Sequence, residues 1–194
     1  MLVAGPSQAG KTVFVKRLVE QAKVLLSEPP EEIIWAYTEY QPAYSSLLHI
    51  PKLKLVQGMP DIEGLKNGKR KLLILDDMQD KAVEFTSFFT RGCHHWNMSC
   101  VFIVQNIFYK ALRTVRINTH YLVLFKNPAD KSQILSLARQ LYPRKTGILL
   151  DAYADATSQP YNYLLVDLTQ ETPDNLRLRT NIFPGETQVV YVPK

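Results

Sequence analysis

The sequence predicts a doubly wound α/β fold with a mostly parallel central sheet flanked by helices, and three observations predict it. Short apolar runs alternate with stretches of helical periodicity along the chain. Several runs are apolar at every position, the pattern of strands buried on both faces. Polar residues cluster where those runs end: Asp76 and Asp77 after Leu72-Leu73-Ile74-Leu75, Gln105 and Asn106 after residues 100–104, Lys126 and Asn127 after residues 121–125. Sheets of this kind bind ligands at the carboxyl ends of their strands, so the chemistry is expected along one edge.

The elements follow in order. Residues 2–4 form a very short first strand. Residues 11–27 place Phe14, Leu18, Val19, Ala22, Leu25 and Leu26 at helical spacing, and Pro29-Pro30 stops that helix. Residues 33–38 are a β-rich apolar run. A short helix around residues 45–49 and a strand at 53–56 come next, then a basic, Gly-containing connection over 60–71. Residues 72–75 read as a central strand. Helical spacing returns over residues 80–91, with Val83, Phe85, Phe88 and Phe89 apolar. Residues 100–104 and 121–125 are buried strands, 130–141 an amphipathic helix with Asp130 near its start, 161–168 a strand, and 189–192 a short terminal one. No internal repeat or low-complexity linker interrupts the chain. At 194 residues one domain spanning 1–194 is expected.

Composition narrows the class. Hydrophobic residues at 46% and charged residues at 21% fit a soluble globular protein and exclude a disordered or fibrous one. No apolar run approaches the roughly 20 residues of a spanning helix, so no membrane partner is expected. No secretory signal is read before Gly5, which points to an intracellular, soluble protein. Cys93 and Cys100 are too few for a disulfide framework and are read as reduced thiols. A net charge of +5 and a pI near 9.1 are compatible with a polyanionic partner without identifying one.

The most specific signal is Gly5-Pro6-Ser7-Gln8-Ala9-Gly10-Lys11-Thr12, which has the form G-x-x-x-x-G-K-[ST]. Such a loop wraps backbone N–H groups around a phosphate, and the helix that follows aims its positive end at the same anion. Gly5 and Gly10 supply the backbone freedom. Lys11 is expected to reach the β- and γ-phosphates of ATP, and the Thr12 hydroxyl to coordinate Mg²⁺. A strand before the loop and a helix after it are the context that this P-loop requires, so a chance match is the poorer explanation.

Asp76 and Asp77 form the second element. Asp76 fits the acid on the Mg²⁺ side and Asp77 the residue that polarises the attacking water. The alternative, a helix N-cap, is met by Asp80 alone. The strand candidate at residues 33–38 lies between the loop and these acids. That places the chain in the class with an inserted strand (ASCE), whose members are mostly motors. Gln105 at the next strand end is then positioned to sense the γ-phosphate, although a polar strand terminus explains it equally well.

Arg91, after the helix that follows the acids, is the first candidate for an arginine finger reaching a neighbouring subunit's nucleotide, with Arg113 and Arg116 in reserve. A solvated helix end is the plainer explanation of any of the three. Cys93, His94, His95 and Cys100 have poor spacing for zinc and are better read as packing. Two basic clusters offer contacts to DNA phosphates or are simply solvated faces: Lys66, Lys69, Arg70 and Lys71, and Lys110, Arg113 and Arg116 with Phe108 and Tyr109 interleaved.

The chain resembles the genome-packaging ATPases of large DNA viruses, poxvirus-like, and of Polinton/Maverick and adintovirus-like elements, a branch of the FtsK/HerA superfamily. The residues that carry the resemblance are Gly5 through Thr12, residues 72–78, residues 89–99, Val104-Gln105-Asn106, residues 118–128, Tyr163-Leu164-Leu165-Val166-Asp167 and residues 176–184. It implies a ring homo-oligomer, a pentamer or hexamer, that hydrolyses ATP with Mg²⁺ to drive double-stranded DNA into a preformed capsid through its portal vertex. It also implies a site of action where virions assemble, in nucleus or cytoplasm, and supports Gln105 as the nucleotide sensor. One departure is that almost nothing precedes the first strand.

Three rivals stand beside this expectation, one of them a nucleotide-dependent scaffold with negligible turnover, against which the paired acids argue. A cellular-type DNA pump or helicase shares the fold, but would bring extra DNA-binding domains. A nucleotide kinase would carry an arginine-rich lid, and residues 141–157 offer only Arg144 and Lys145.

Overall fold

A computed structural model describes residues 1–82, 84–85 and 96–192 of the chain. Nine strands appear among them: β1 (Leu2–Ala4), β2 (Glu32–Tyr37), β3 (Leu53–Gln57), β4 (Lys71–Asp76), β5 (Met98–Val104), β6 (Tyr121–Phe125), β7 (Tyr163–Asp167), β8 (Leu178–Thr180) and β9 (Val189–Tyr191). The α-helices are α1 (Lys11–Glu20), α2 (Ala22–Leu25), α3 (Arg113–Ile117), α4 (Ser132–Leu141) and α5 (Gly147–Ala156). The chain divides into two compact units, Met1–Lys11 with Gln105–Phe108 and Thr119–Lys194, and Thr12–Val104 with Tyr109–Asn118.

The unit containing Thr12–Val104 is built on a wholly parallel sheet in the order β3, β2, β4, β5. Trp35 lies opposite Ile74, and Ile74 opposite Val101. All six residues of β4 are buried, which explains why its run is apolar at every position rather than at alternate ones. The edge strand β3 is half-exposed and correspondingly mixes Lys54 and Gln57 with Leu53, Leu55 and Val56. Helix α1 buries Phe14, Val15, Leu18 and Val19, a stripe at i, i+4 and i, i+1 spacing. The helix predicted over residues 11–27 breaks at Gln21, whose φ of −103° and ψ of 15° leave the helical region. There Val24 N–H donates to Gln21 O at 2.9 Å, an i→i+3 bond that tightens the turn before α2. The short helix predicted around 45–49 is a 3₁₀ turn at Pro42–Leu47, entered through Pro42. Of the helix predicted over 80–91, a 3₁₀ turn at Gln79–Lys81 is observed. Val83, Phe88 and Phe89 lie outside the described residues.

The other unit holds one parallel pair, β1 with β6, in which Val3 lies opposite Val123. From β6 onward the neighbours β7, β8 and β9 are all antiparallel. The expectation of a mostly parallel sheet therefore holds for one unit and fails for this one. The cause is the connection. One crossover helix returns a chain parallel to the strand it left, whereas α4 and α5 intervene in succession between β6 and β7 and deliver β7 with its direction reversed. The consequence for position is direct: the start of β7 lies beside the end of β6, with Tyr163 opposite Phe125. The core here is formed by Leu122 through Phe125, Leu164 through Val166, Leu137, Leu149 and Phe183.

Candidate phosphate-binding site

The loop from Gly5 to Lys11 connects β1 to α1. Gly5 is dictated by close approach: a Cβ there would stand 2.7 Å from the Cβ of Phe125 at the end of β6. Gln8 and Gly10 both have left-handed backbone, φ 63° and 101°, and Ala9 N–H donates to Pro6 O at 3.3 Å. The Lys11 ammonium donates to Gly5 O and Pro6 O, each at 2.7 Å, so the lysine folds across its own loop. No acidic residue occupies the first turn of α1, so the helix supplies no carboxylate of its own at its positive end.

In the same unit Gln105, directly after β5, lines a small cavity together with Gly5, Phe125, Asn127 and Gln133. The structure thus brings two of the sequence-predicted residues, Gly5 and Gln105, to one place. The segment bearing Gln105 is anchored from α4. Ile107 N–H donates to Gln133 Oε1 at 3.2 Å, and Gln133 Nε2 donates to Asp130 Oδ2 at 2.8 Å. Hydrogen bonds from Ser132 and Gln133 hold the Asp130 carboxyl below the usual carboxylate range. The end of β6 is fixed from α5: the Tyr153 hydroxyl donates to Phe125 O and accepts from Asn127 N–H, both at 2.9 Å. Gln133 and Tyr153 were not singled out from the sequence: Gln133 is one more residue of the helix expected over 130–141, and Tyr153 lies where no element was expected.

The acids belong to the other unit, as does Thr12, which is half-buried at the second position of α1. Asp76 and Asp77 diverge at the end of β4. Asp76 is buried, and the Tyr44 hydroxyl donates to its Oδ2 at 2.9 Å. Tyr44 is itself fully buried in an aromatic cluster, its ring 5.0 Å from Tyr37, 5.8 Å from Tyr40 and 6.0 Å from Trp35. Burial, and then the negative charge of Asp76, push the Tyr44 hydroxyl well above the ordinary tyrosine range, so it stays a donor. Asp77 is exposed, with a left-handed φ of 54°, a conformation that aspartate tolerates better than most residues. Its backbone is pinned on both sides: its N–H donates to Ile103 O at 3.3 Å, and its carbonyl accepts from Thr38 Oγ1 at 3.1 Å. One carboxylate is enclosed and hydrogen-bonded while the next faces outward.

Among the described residues no group of three or more His, Cys, Asp or Glu could hold a metal ion. The Thr12 hydroxyl and Asp76 carboxylate are hard oxygen donors of the number Mg²⁺ takes from protein when it arrives with phosphates and water, so the residues fit that ion.

The basic residues sort clearly. In the first cluster Lys66 pairs with Glu63 and lies 4.0 Å from the centroid of the Trp96 ring, and Lys69 pairs with Glu32 at 3.2 Å. Lys71 is buried, donating to Asn67 and standing 4.0 Å from Glu32. These cations are engaged locally. Lys110 and Arg113 are exposed, whereas Arg116 is half-buried, its guanidinium lowered from the ordinary arginine range by burial and by Arg113. Arg91, Cys93, His94 and His95 lie outside the described residues, and Cys100 is buried in β5.

No protein-family model matches the sequence, and no curated protein matches it. Solved structures do. The cytoplasmic domain of the type VII secretion ATPase EccC from Thermomonospora curvata superposes with a TM-score of 0.56 at 11% identity, over 88% of this chain and 24% of that one. The cytoplasmic domain of EssC superposes at 0.54 and 13% identity, over 99% of this chain and 39% of that one. The likeness establishes the fold. The chain spans less than half the length of either structure, and the likeness reaches neither DNA nor a capsid. Among the described residues no helix is long and apolar enough to cross a membrane.

Proposed function

We propose that this protein is a P-loop ATPase that couples ATP hydrolysis to movement of a polymer. The observation that carries the proposal is the loop itself: Lys11 held at 2.7 Å on Gly5 O and Pro6 O, left-handed backbone at Gln8 and Gly10, and an acid-free first turn of α1. Lys11 serves the terminal phosphates, Thr12 and Asp76 hold Mg²⁺, which supplies charge neutralisation at the transferred phosphoryl group, and exposed Asp77 orients water. Gln105 senses the γ-phosphate. Arg91, or failing it the exposed Arg113, completes a neighbouring site in a ring of identical subunits.

The polymer is double-stranded DNA delivered to a viral capsid, on the strength of the resemblance to packaging ATPases. A second reading has a specific observation in its favour, the likeness in fold to the cytoplasmic domain of a type VII secretion ATPase, and makes the polymer a polypeptide. Steady-state ATP hydrolysis with and without linear double-stranded DNA separates them. DNA-stimulated turnover that falls by about 10²- to 10⁴-fold in Asp77→Asn, and is lost in Lys11→Ala, is expected for the DNA motor. Turnover indifferent to DNA removes the packaging reading, and phosphate appearing on an added nucleotide acceptor removes the ATPase reading as well.

A further inference from the structure

The turn at Gln159-Pro160-Tyr161-Asn162 is built against its own sequence. Asn162 N–H reaches Gln159 O at 3.4 Å, closing a four-residue turn with proline at its second position. Proline fixes φ near −65° there, and Tyr161, the third residue, has φ 66°. That is the type II pattern, whose third position is ordinarily glycine because φ is positive. A tyrosine in this conformation is a rarity that calls for a cause.

Packing is not the cause. Tyr161 is 71% exposed, among the described residues second only to Val24 of the large apolar or aromatic side chains. Its hydroxyl makes no hydrogen bond among the described residues. What it does have is position. β7 runs antiparallel to β6, and β6 parallel to β1, so the start of β7 shares an edge with the ends of β1 and β6. Tyr161 stands two residues before β7. A Cβ placed on Gly10 would lie 3.4 Å from Tyr161 Cδ1 and 3.5 Å from its Cβ, so a side chain on the residue preceding Lys11 would touch the tyrosine.

We infer that Tyr161 is the platform on which the nucleotide's base stacks, an inference that rests on the nucleotide reading proposed above. A triphosphate seated on this loop places its terminal phosphates at Lys11 and carries its base away from them on a ribose. An exposed ring beside the loop offers that base a flat apolar face, and every base has a π-face to set on it. Other features of the molecule have plainer explanations. The groove between α5 and β9, lined by Asp151, Asp155, Tyr191 and Val192, is an open sheet edge closed on one side by the Tyr191 hydroxyl donating to Asp155 at 2.7 Å. Buried Asp167 is consumed by hydrogen bonds from Thr169, Thr172 and Arg179.

The test is calorimetric titration of the protein and of Tyr161→Gly, Tyr161→Phe and Lys11→Ala with ATP and with inorganic tripolyphosphate, both in Mg²⁺. Base stacking of the usual strength makes Tyr161→Gly bind ATP about 5- to 150-fold more weakly, while tripolyphosphate binding is unchanged and Tyr161→Phe binds both ligands as the parent does. Glycine suits a positive φ, so Tyr161→Gly should melt within about 4 °C of the parent. Equal weakening of ATP and tripolyphosphate in Tyr161→Gly would mean that the residue only shapes the loop, and overturns the platform. Unchanged ATP affinity in Tyr161→Gly, with both ligands lost in Lys11→Ala, overturns the platform and leaves the phosphate site standing. Absence of ATP binding by the parent protein overturns the nucleotide reading and the platform with it.

Discussion

Tyr44 sets how Asp76 is held, and a single oxygen tests it. The ring is fully buried, and the hydroxyl donates to Asp76 Oδ2 at 2.9 Å. Hydrogen bonds to a charged group net about 1.5–3 kcal/mol, so Tyr44→Phe should lower the unfolding free energy by about 2 kcal/mol at pH 7. In a chain of this length that loss lowers the melting temperature by about 4–8 °C. The pH dependence has a definite sign. Burial and Asp76 raise the folded-state pKa of Tyr44 above its unfolded value. The folded protein keeps this proton where the unfolded chain releases it, so the contribution is fully present below about pH 10 and declines as pH rises further. At pH 11 that one ionisation favours the unfolded parent by about 1 kcal/mol, and phenylalanine has no such proton. The stability gap between parent and variant should therefore shrink from about 2 kcal/mol at pH 7 to about half of that at pH 11. Urea unfolding at the two pH values measures it, with the remaining tyrosines cancelling in the difference. A gap that stays constant or widens refutes a buried neutral donor on Asp76.

Two further substitutions probe the loop and its supports. Gly5→Ala places a methyl 2.7 Å from Phe125 Cβ, an atom that no rotamer change can move, and should cost about 1–3 kcal/mol in thermal unfolding; a variant as stable as the parent would mean that β1 and β6 can part at no cost. Gln133→Leu keeps the shape of a side chain that is 8% exposed but orphans Ile107 N–H, which should cost about 1–3 kcal/mol and slow ATP turnover more than it weakens ATP binding; unaltered turnover would show that Gln105 does not depend on α4 for its placement.

The parallel half of the fold was legible because burial on both faces writes continuous apolar runs, and β2, β4 and β5 fall within a residue or two of the sequence expectation. Strand direction was not. β7 reads Tyr-Leu-Leu-Val-Asp and is buried throughout, as a parallel strand would be, and only the two helices before it reverse it. Helix α5 escaped notice because Gly147 opens it and its buried positions are Leu149, Ala152 and Ala156, two of them too small to mark a stripe. β8 is three residues long and carries an arginine, and α3 lies in a basic stretch read as a charge cluster. The candidate phosphate loop and the paired acids stand out in the sequence because the chemistry proposed for them demands particular residues at fixed spacing. Tyr44, Gln133 and Tyr153 act through contacts with residues 26 to 32 positions away, which no local pattern records. Tyr161 follows a proline at a spot where only the closed turn discloses that glycine was expected.

The bonds from Lys11 to Gly5 O and Pro6 O make the side chain a clasp on the loop it serves. On the proposed reading, capture of a phosphate there is an exchange of partners, carbonyl oxygens for phosphate oxygens, rather than the ordering of slack chain. A loop already shaped loses little conformational entropy when an anion arrives, so its affinity reports the difference between two sets of lysine contacts. Truncating Lys11 accordingly does two things at once: it deletes a charge, and it opens the clasp.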